Sequence, residues 1–491
     1  MPIHTPCYSA TERLLCLSNG HGEDVIAVRI LQALQQSGQC PKLFALPLVG
    51  QGAAYQSIGV PIIGPVKTMP SGGFIYMDGR QLARDVQGGL LQLTWTQFRA
   101  MRQWAQQGGS ILAVGDIFPL LLAYFSGAPY AFVGTAKSEY YLRDRAGVLF
   151  PQTRLDAWSG SVYYPWERWL MGQPRCRAVF PRDALTTKIL QQWAIPAFDL
   201  GNPMMDGLEP TIARTQLSPA VPVVSNPVSQ SNGHETTLTE AYPLWRSRPV
   251  SLTHDTSTVQ AVPNPVVDAH SSSHPSDSAD LRIVLLPGSR TPEAYENWGL
   301  MLQAVAGVLE HFPQAAITFV GAISPNLSLE PLSRTLTEQG WLPSSTVPTH
   351  SVPPSLRSAS FADAPVLWFS QRQANLGLCQ HAYADCLQFA DWAIAMAGTA
   401  TEQFVGLGKP AITLAGKGPQ FTPKFAEAQT RLLGESVTLV DSPEQVAIAL
   451  QTLLRSPETR QYIAANGLMR MGTPGAAQRI AERLLRELAH P

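Results

Sequence analysis

Three glycine-bearing turns carry the residue types that hold phosphate. They read N-G-H-G-E-D (Asn19 to Asp24), P-G-S-R (Pro287 to Arg290) and A-G-T-A-T (Ala397 to Thr401). Each follows an apolar run with the length of a buried strand, and each opens a helix-like stretch. A strand, a glycine turn and a helix start leave backbone N–H groups unpaired at the positive end of a helix dipole, where a diphosphate can sit. The dipole contributes only about 0.3–1 kcal/mol at an exposed site, so hydroxyls and amides must supply most of the hold. The same residues also describe an ordinary strand-to-helix turn with a threonine cap, and that alternative stays open. None of the three turns has dinucleotide or Walker spacing; what links them is their shared place after a strand.

The elements that must position these turns alternate along the chain. Arg13 to Ser18 predicts the first strand, and Ile26, Ile30, Ala33 and Leu34 predict one face of the helix after it. Further strands are expected near 43–48, 60–63, 111–114, 130–133, 178–180 and 197–200. A long helix is expected over about 80–107, with Trp95, Phe98 and Trp104 in its core. The apolar run 111–134 contains Asp116, Pro119 and Pro129, which divide it into strand, helix and strand instead of a membrane span of roughly 20 uninterrupted apolar residues. Strand and helix alternation implies parallel strands joined by right-handed crossovers. The expected organisation is α/β, with two Rossmann-like doubly wound domains facing a cleft. Residues 1–205 form the first and 281–472 the second, and 473–491 form a closing helix. Residues 206–280 are a Ser/Thr/Pro-rich insert expected to be disordered, and a second such insert lies near 324–362.

Composition narrows the class of partner. Of 491 residues 45% are hydrophobic and 14% charged, enough for real cores and below the usual quarter for charge. Thirty-five Lys and Arg against 36 Asp and Glu give no nucleic-acid footprint. The six cysteines show neither a CxxC nor zinc spacing, and they read as free thiols in a reducing cytosol. The first ten residues lack a signal-peptide pattern, so a cytoplasmic location is expected.

Three segments in order, G-N-P-M-M-D (Gly201 to Asp206), L-L-P-G-S-R-T-P-E (Leu285 to Glu293) and A-G-T-A-T-E-Q…G-K-P (Ala397 to Pro410), resemble elements of lipid-A-disaccharide synthase. That family of inverting GT-B glycosyltransferases carries similar G-H-P, L-P-G-S-R-x-x-E and S-G-T-A-T-L-E segments. The resemblance covers the second domain and the junction well, and the first domain loosely. It implies a UDP-sugar donor, no other cofactor or metal, and a lipid-linked or glycolipid acceptor held by the first domain. It puts Gly288, Ser289 and Arg290 by the donor phosphates or sugar, and Gly398, Thr399, Ala400 and Thr401 around the diphosphate. The family's ribose-holding glutamate falls at Gln403, with Glu402 one place earlier. Gln420 and Phe421, in G-P-Q-F-T, resemble the donor-sugar loop of the peptidoglycan lipid GlcNAc transferase.

In the first domain the resemblance implies that Gly20, His21, Gly22 and Glu23 line the acceptor side. His21, with an ordinary pKa near 6.5 suited to base catalysis, is one candidate base, and a helix-start histidine bonded to backbone is the alternative. Asp116, in V-G-D-I-F-P, is the second candidate base and equally a plausible helix N-cap. Tyr163, Tyr164, Trp166, Trp169, Leu170 and Met171, with Arg168 and Arg175, suit a lipid headgroup boundary and peripheral membrane contact; a helix part core and part surface explains them as well. A UDP-sugar epimerase of the same architecture, or a non-catalytic relative that binds lipid or nucleotide, are the rival functions.

Overall fold

Strands that are apolar on both faces need cover on both faces, and the helices between them supply it. The computed structural model describes residues 13–67, 89–209, 280–345, 356 and 366–488. The first half builds β1 (Arg13–Ser18), β2 (Lys42–Pro47), β3 (Ser110–Gly115), β4 (Tyr130–Gly134) and β5 (Cys176–Phe180). They form one parallel sheet in the order β2-β1-β3-β4-β5. Its helices are α1 (His21–Gln36), α2 (Ala53–Gln56), α3 (Leu90–Ala105), α4 (Ile117–Ser126), α5 (Arg154–Ser159), α6 (Pro165–Met171) and α7 (Ala184–Gln191). Alternate strand residues feed two layers. Leu14 and Cys16 pack with α1 on one face, while Leu15 and Leu17 pack with α3, α4 and α6 on the other.

The second half builds β6 (Asp280–Leu286), β7 (Ala316–Ala322), β8 (Leu342–Pro343), β9 (Leu367–Gln371), β10 (Ala374–Cys379), β11 (Trp392–Ala395), β12 (Ala411–Leu414) and β13 (Val437–Val440). Their order is β13-β12-β11-β6-β7-β10-β9-β8, parallel except at the β9 and β8 edge. The helices are α8 (Glu293–His311), α9 (Leu329–Glu338), α10 (Tyr383–Phe389), α11 (Thr399–Gly406), α12 (Pro423–Leu433), α13 (Gln445–Leu454) and α14 (Pro457–Met471). The last, α15 (Ala476–Leu488), returns to the first sheet, where Ile480, Ala481 and Leu484 join the α1 layer. Gly201 to Asp206 is its clasp. The Asp206 carboxylate accepts the N–H groups of Gly475, Ala476 and Ala477, and Arg479 donates to the Leu200 carbonyl.

The structure departs from expectation at four places. Residues 60–63 and 197–200 make single bridges instead of strands, Ile62 to Ala45 and Ala197 to Val179, because Pro61 and Pro196 have no N–H to extend a ladder. The segment 324–362 contains α9, capped by Ser328 and burying Leu332 and Leu336, and then β8. Pro331 falls in its first turn, where a proline costs little. The β9–β10 hairpin was hidden by its short alternating runs and turns at Arg372, whose φ is 53°. Trp95 lies outside the core on α3 at 55% exposure, whereas Trp104 is buried. The expected helix portion 80–88 and the insert 210–279 lie outside the described residues.

Strand order decides where a ligand can bind. In the first sheet the chain runs outward from β1 to β2 and then restarts at β3 on the other side; in the second it runs from β6 through β7 and restarts at β11. These reversals are topological switch points, and ligands of such sheets bind outside the carboxyl ends of the strands there. The turn Asn19–Asp24 and Asp116 flank the first. Pro287–Arg290 and Gly398 flank the second.

Candidate active site

One asparagine stitches each switch point. Asn19, after β1, donates from Nδ2 to Asp116 Oδ2 after β3 at 2.9 Å. Asn297, on α8, donates to the carbonyls of Pro287 at 3.0 Å and Met396 at 3.3 Å, tying the β6 turn to the end of β11. The remaining oxygens, Asn19 Oδ1 and Asn297 Oδ1, are buried without a partner among the described residues. Buried acceptors are seldom left unpaired, so both positions suit a donor from a ligand or water.

On the first side, Gly20 precedes α1 with φ 140° and is buried; Gly22 has open space around it. His21 is the first residue of α1, and its side chain lies outside the described atoms. Glu23 lies against Gly115, where a Cβ would come within 3.4 Å of its Cγ, and its carboxylate accepts a long 3.4 Å bond from the Thr135 hydroxyl. Burial pushes the Glu23 carboxyl above its ordinary range, and the charges of Asp116 and Asp24 push it the same way. Asp116 is the N-cap of α4, accepting from the Phe118 N–H at 2.8 Å. Burial raises its pKa too, opposed by the bonds from Phe118 and Asn19. The sequence left Asp116 open between base and cap; it is a cap, and each of its oxygens already holds a bond.

Asp24 is fixed beneath them. Ser18 Oγ donates to its Oδ1 at 2.5 Å, and the Tyr55 hydroxyl donates to Ser18 Oγ at 2.5 Å. Burial pushes the Asp24 carboxyl from 3.8 up to about 6, partly offset by the Ser18 bond. Since the folded value lies above the unfolded one, this group's stability contribution is complete below about pH 3.8 and is lost as pH rises through about 6. We expect urea unfolding to lose about 3 kcal/mol from this source across that window, and Asp24→Asn to flatten the loss. An unchanged pH profile in that variant would contradict the assignment.

On the second side, Gly288 has φ 96°, Ser289 is exposed and Arg290 is half-buried. Burial lowers the Arg290 pKa, while Glu293, the first residue of α8, and Glu23 of the first domain oppose that shift. The Glu23 carboxylate of the first domain is thus one of the charges that favour the charged form of Arg290. Gly398 precedes α11 and no side chain caps that helix; Thr399 is exposed and Ala400 half-buried. The exposed Ser289 and Thr399 and the uncapped start of α11 face outward here.

Four expected contacts are occupied by the protein itself. The Thr401 hydroxyl is buried and donates to the Ala397 carbonyl four residues back, at 2.5 Å. Glu402, 7% exposed, pairs with Arg182 at 2.7 Å. Both amide atoms of Gln403 are engaged, Oε1 by the Tyr383 hydroxyl and Nε2 by the Met204 carbonyl. Phe421 is a core residue whose ring is tilted against that of Phe425, and its N–H and that of Gln420 donate to Glu293 Oε1. Glu402 and Gln403 are thus fasteners between the domains, and the half-exposed Gln420 is what remains of the expected sugar loop.

Arg182 is the residue that sequence reasoning missed. It follows β5, donates to the Thr135 carbonyl at 3.2 Å and is 5% exposed. Burial opposes its charge, and Glu402, together with Tyr141 and Asp183, more than offsets this, leaving the pKa above its ordinary value. Thr135 therefore joins Glu23 to the Arg182–Glu402 pair, and that pair joins the two sheets. Gln429, which donates to the Ala397 and Gly398 carbonyls, was missed as well. Nothing in either local sequence marks a partner 220 or 31 residues away.

No family model and no curated protein matches the chain. Solved structures resemble it loosely. UDP-GlcNAc 2-epimerase from Neisseria meningitidis bound to UDP-GlcNAc is 13% identical over 96% of this chain and 100% of its own, with a TM-score of 0.47. MurG of Acinetobacter baumannii is 13% identical over 97% and 99%, with a TM-score of 0.46. The glycotransferase of kitacinnamycin is 12% identical over 97% and 99%, with a TM-score of 0.48. The fold accordingly rests on strand order, and the chemistry on the side chains above.

A shallow depression of about 370 Å³ lies at the opposite ends of β6, β11 and β12, bordered by Asp280, Asp391, Lys409 and Arg460. It is remote from both switch points. The Lys409 ammonium there already donates to the carbonyls of Leu387, Gln388 and Ala390, so it closes the end of α10. Among the described residues no group of His, Cys, Asp and Glu is placed to hold a metal ion, and no helix is long and apolar enough to cross a membrane.

Proposed function

We propose that the cleft takes a nucleoside-diphosphate sugar of the UDP-GlcNAc kind and that the chain is a GT-B glycosyltransferase. The acceptor would be a lipid-linked or glycolipid hydroxyl. The observation that supports this most is the placement of Glu23 at the switch point of the first sheet and of Arg290 and the uncapped start of α11 at that of the second. The acceptor oxygen attacks the anomeric carbon, the bond from that carbon to the diphosphate oxygen breaks, and UDP leaves with the bonding pair. The acceptor proton passes to Glu23. Glu23 suits that role better than Asp116 because its side-chain bond, from the Thr135 hydroxyl, is long at 3.4 Å, and its raised pKa brings it toward neutral pH. Charge developing on the diphosphate meets Arg290, the Thr399 hydroxyl and the uncapped N–H groups of α11.

A second reading, an epimerase acting on the sugar nucleotide alone, draws on the same carboxylates: two half-buried acids at one switch point suit removal and return of a proton on carbon. A panel of UDP-sugars with and without lipid extract separates the two. UDP released only with acceptor supports transfer, and isomerised donor without acceptor supports epimerisation. Tight UDP binding with neither outcome leaves a non-catalytic relative, and no binding of any UDP-sugar contradicts the proposal altogether.

A further inference from the structure

Two cysteines that the proposed mechanism leaves unused stand against each other in the second domain. Cys379 ends β10 and is 4% exposed, and Cys386 lies in α10 at 0%. The turn Gln380 to Ala382 brings the chain back between them, so both side chains enter the same core layer. There the two thiols hydrogen-bond each other. Cys379 also accepts the backbone N–H groups of Ala382 and His381, where the chain enters α10. The bond from Cys386 and these amides bring the Cys379 pKa down to about 7, against burial and the nearby Asp385 carboxylate. Cys386 is pushed well above its ordinary range by its bond to Cys379 and by burial.

The other described cysteines are arranged differently. Cys16 lies against Tyr55, and Cys176 points to the Ala178 carbonyl at 3.9 Å; burial pushes both thiols up. Cys40 is exposed. Two thiols already in contact need little backbone movement to join. One held as thiolate beside one held as thiol is the arrangement of an attacking and a resolving cysteine. The opening at Cys379 is narrow, which favours an oxidant close to water in size. Tyr383, on the same helix as Cys386, donates to Gln403 of α11 at 2.7 Å, so the pair lies one helix away from the turn Gly398 to Thr401.

We propose that Cys379 and Cys386 form a redox modification site that closes to an intramolecular disulfide when hydrogen peroxide reaches it. The inference does not rest on the reading of the cleft. The Cys379 thiolate attacks one peroxide oxygen, the O–O bond breaks and hydroxide leaves, giving a sulfenic acid. The Cys386 sulfur then attacks the Cys379 sulfur, the S–O bond breaks and a second hydroxide leaves. The two thiol protons turn both hydroxides into water, so the thiols are oxidised and peroxide is reduced. The test is peroxide treatment of the full chain in native buffer, then labelling with N-ethylmaleimide in urea and tryptic mapping without reductant. No Lys or Arg separates the two cysteines, so the bond appears as one peptide that loses both labels and regains them after dithiothreitol. Cys16 and Cys176 keep theirs. In Cys386→Ala the reaction stops at a Cys379 sulfenic acid that dimedone traps, and in Cys379→Ala the Cys386 label persists. Both labels kept in the parent, a sulfinic acid at Cys379 in place of the bond, or a bond formed only when peroxide is added in urea overturns the proposal. So does loss of the Cys386 label in Cys379→Ala, which would remove Cys379 as the attacking group.

Discussion

Arg182→Ala is expected to lower the free energy of unfolding by about 3–5 kcal/mol, because it strands the Glu402 carboxylate in the junction between the sheets. Both partners are nearly inaccessible, and the 2.7 Å contact is the buried ion pair that spans the two domains. Cutting one member costs more than replacing both, since a lone buried charge has no compensation. Arg182→Met combined with Glu402→Leu should therefore recover most of the loss. Urea unfolding of the three variants measures this. A loss of about 1 kcal/mol or less for Arg182→Ala is what an exposed pair gives and would contradict the assigned role.

Glu23→Gln is expected to reduce turnover by about 10²–10⁴-fold, the range for removal of a positioned general base, while UDP binding persists. Asp116→Asn separates the two carboxylates. Asparagine is also a good cap, so α4 keeps its start and stability changes little. The negative charge of Asp116 favours the protonated form of Glu23; without it the Glu23 pKa falls, and the acid limb of the pH–rate profile moves to lower pH. A profile that stays in place, or a Glu23→Gln variant with parental turnover, would remove Glu23 from the mechanism.

The fold was legible where one signal sufficed. Runs such as Ile111 to Val114, and Leu281 to Leu286 but for Arg282, are apolar and bounded by turn residues, so they read as buried strands, and the three glycine turns could be placed before any coordinate. Where a second partner decides, the sequence was silent. Thr401 and Thr399 are the same residue type two places apart. One side chain turns back onto the Ala397 carbonyl and the other faces solvent, a difference set by helix phase against the rest of the domain. Phe421 looked like a ligand ring because its loop resembles a sugar-binding loop; here Glu293 draws that loop inward through two backbone N–H groups, and the ring follows into the core. Trp95 was assigned inward on the strength of being tryptophan. The hydrophobic stripe of α3 instead puts Leu93, Gln97, Met101 and Trp104 against the sheet, leaving Trp95 outside. The role of Gly201 to Asp206 as the clasp of α15 could not be read either, because the N–H groups it holds lie some 270 residues downstream.

The account rests on Arg290 and the start of α11 facing a diphosphate across from Glu23. Calorimetric titration of UDP into the parent chain and into Arg290→Ala tests this directly. The account predicts saturable binding to the parent, weakened about 10–100-fold by loss of one charge-assisted bond to the diphosphate. Equal affinity in the two proteins, or no heat of binding to the parent, would contradict it.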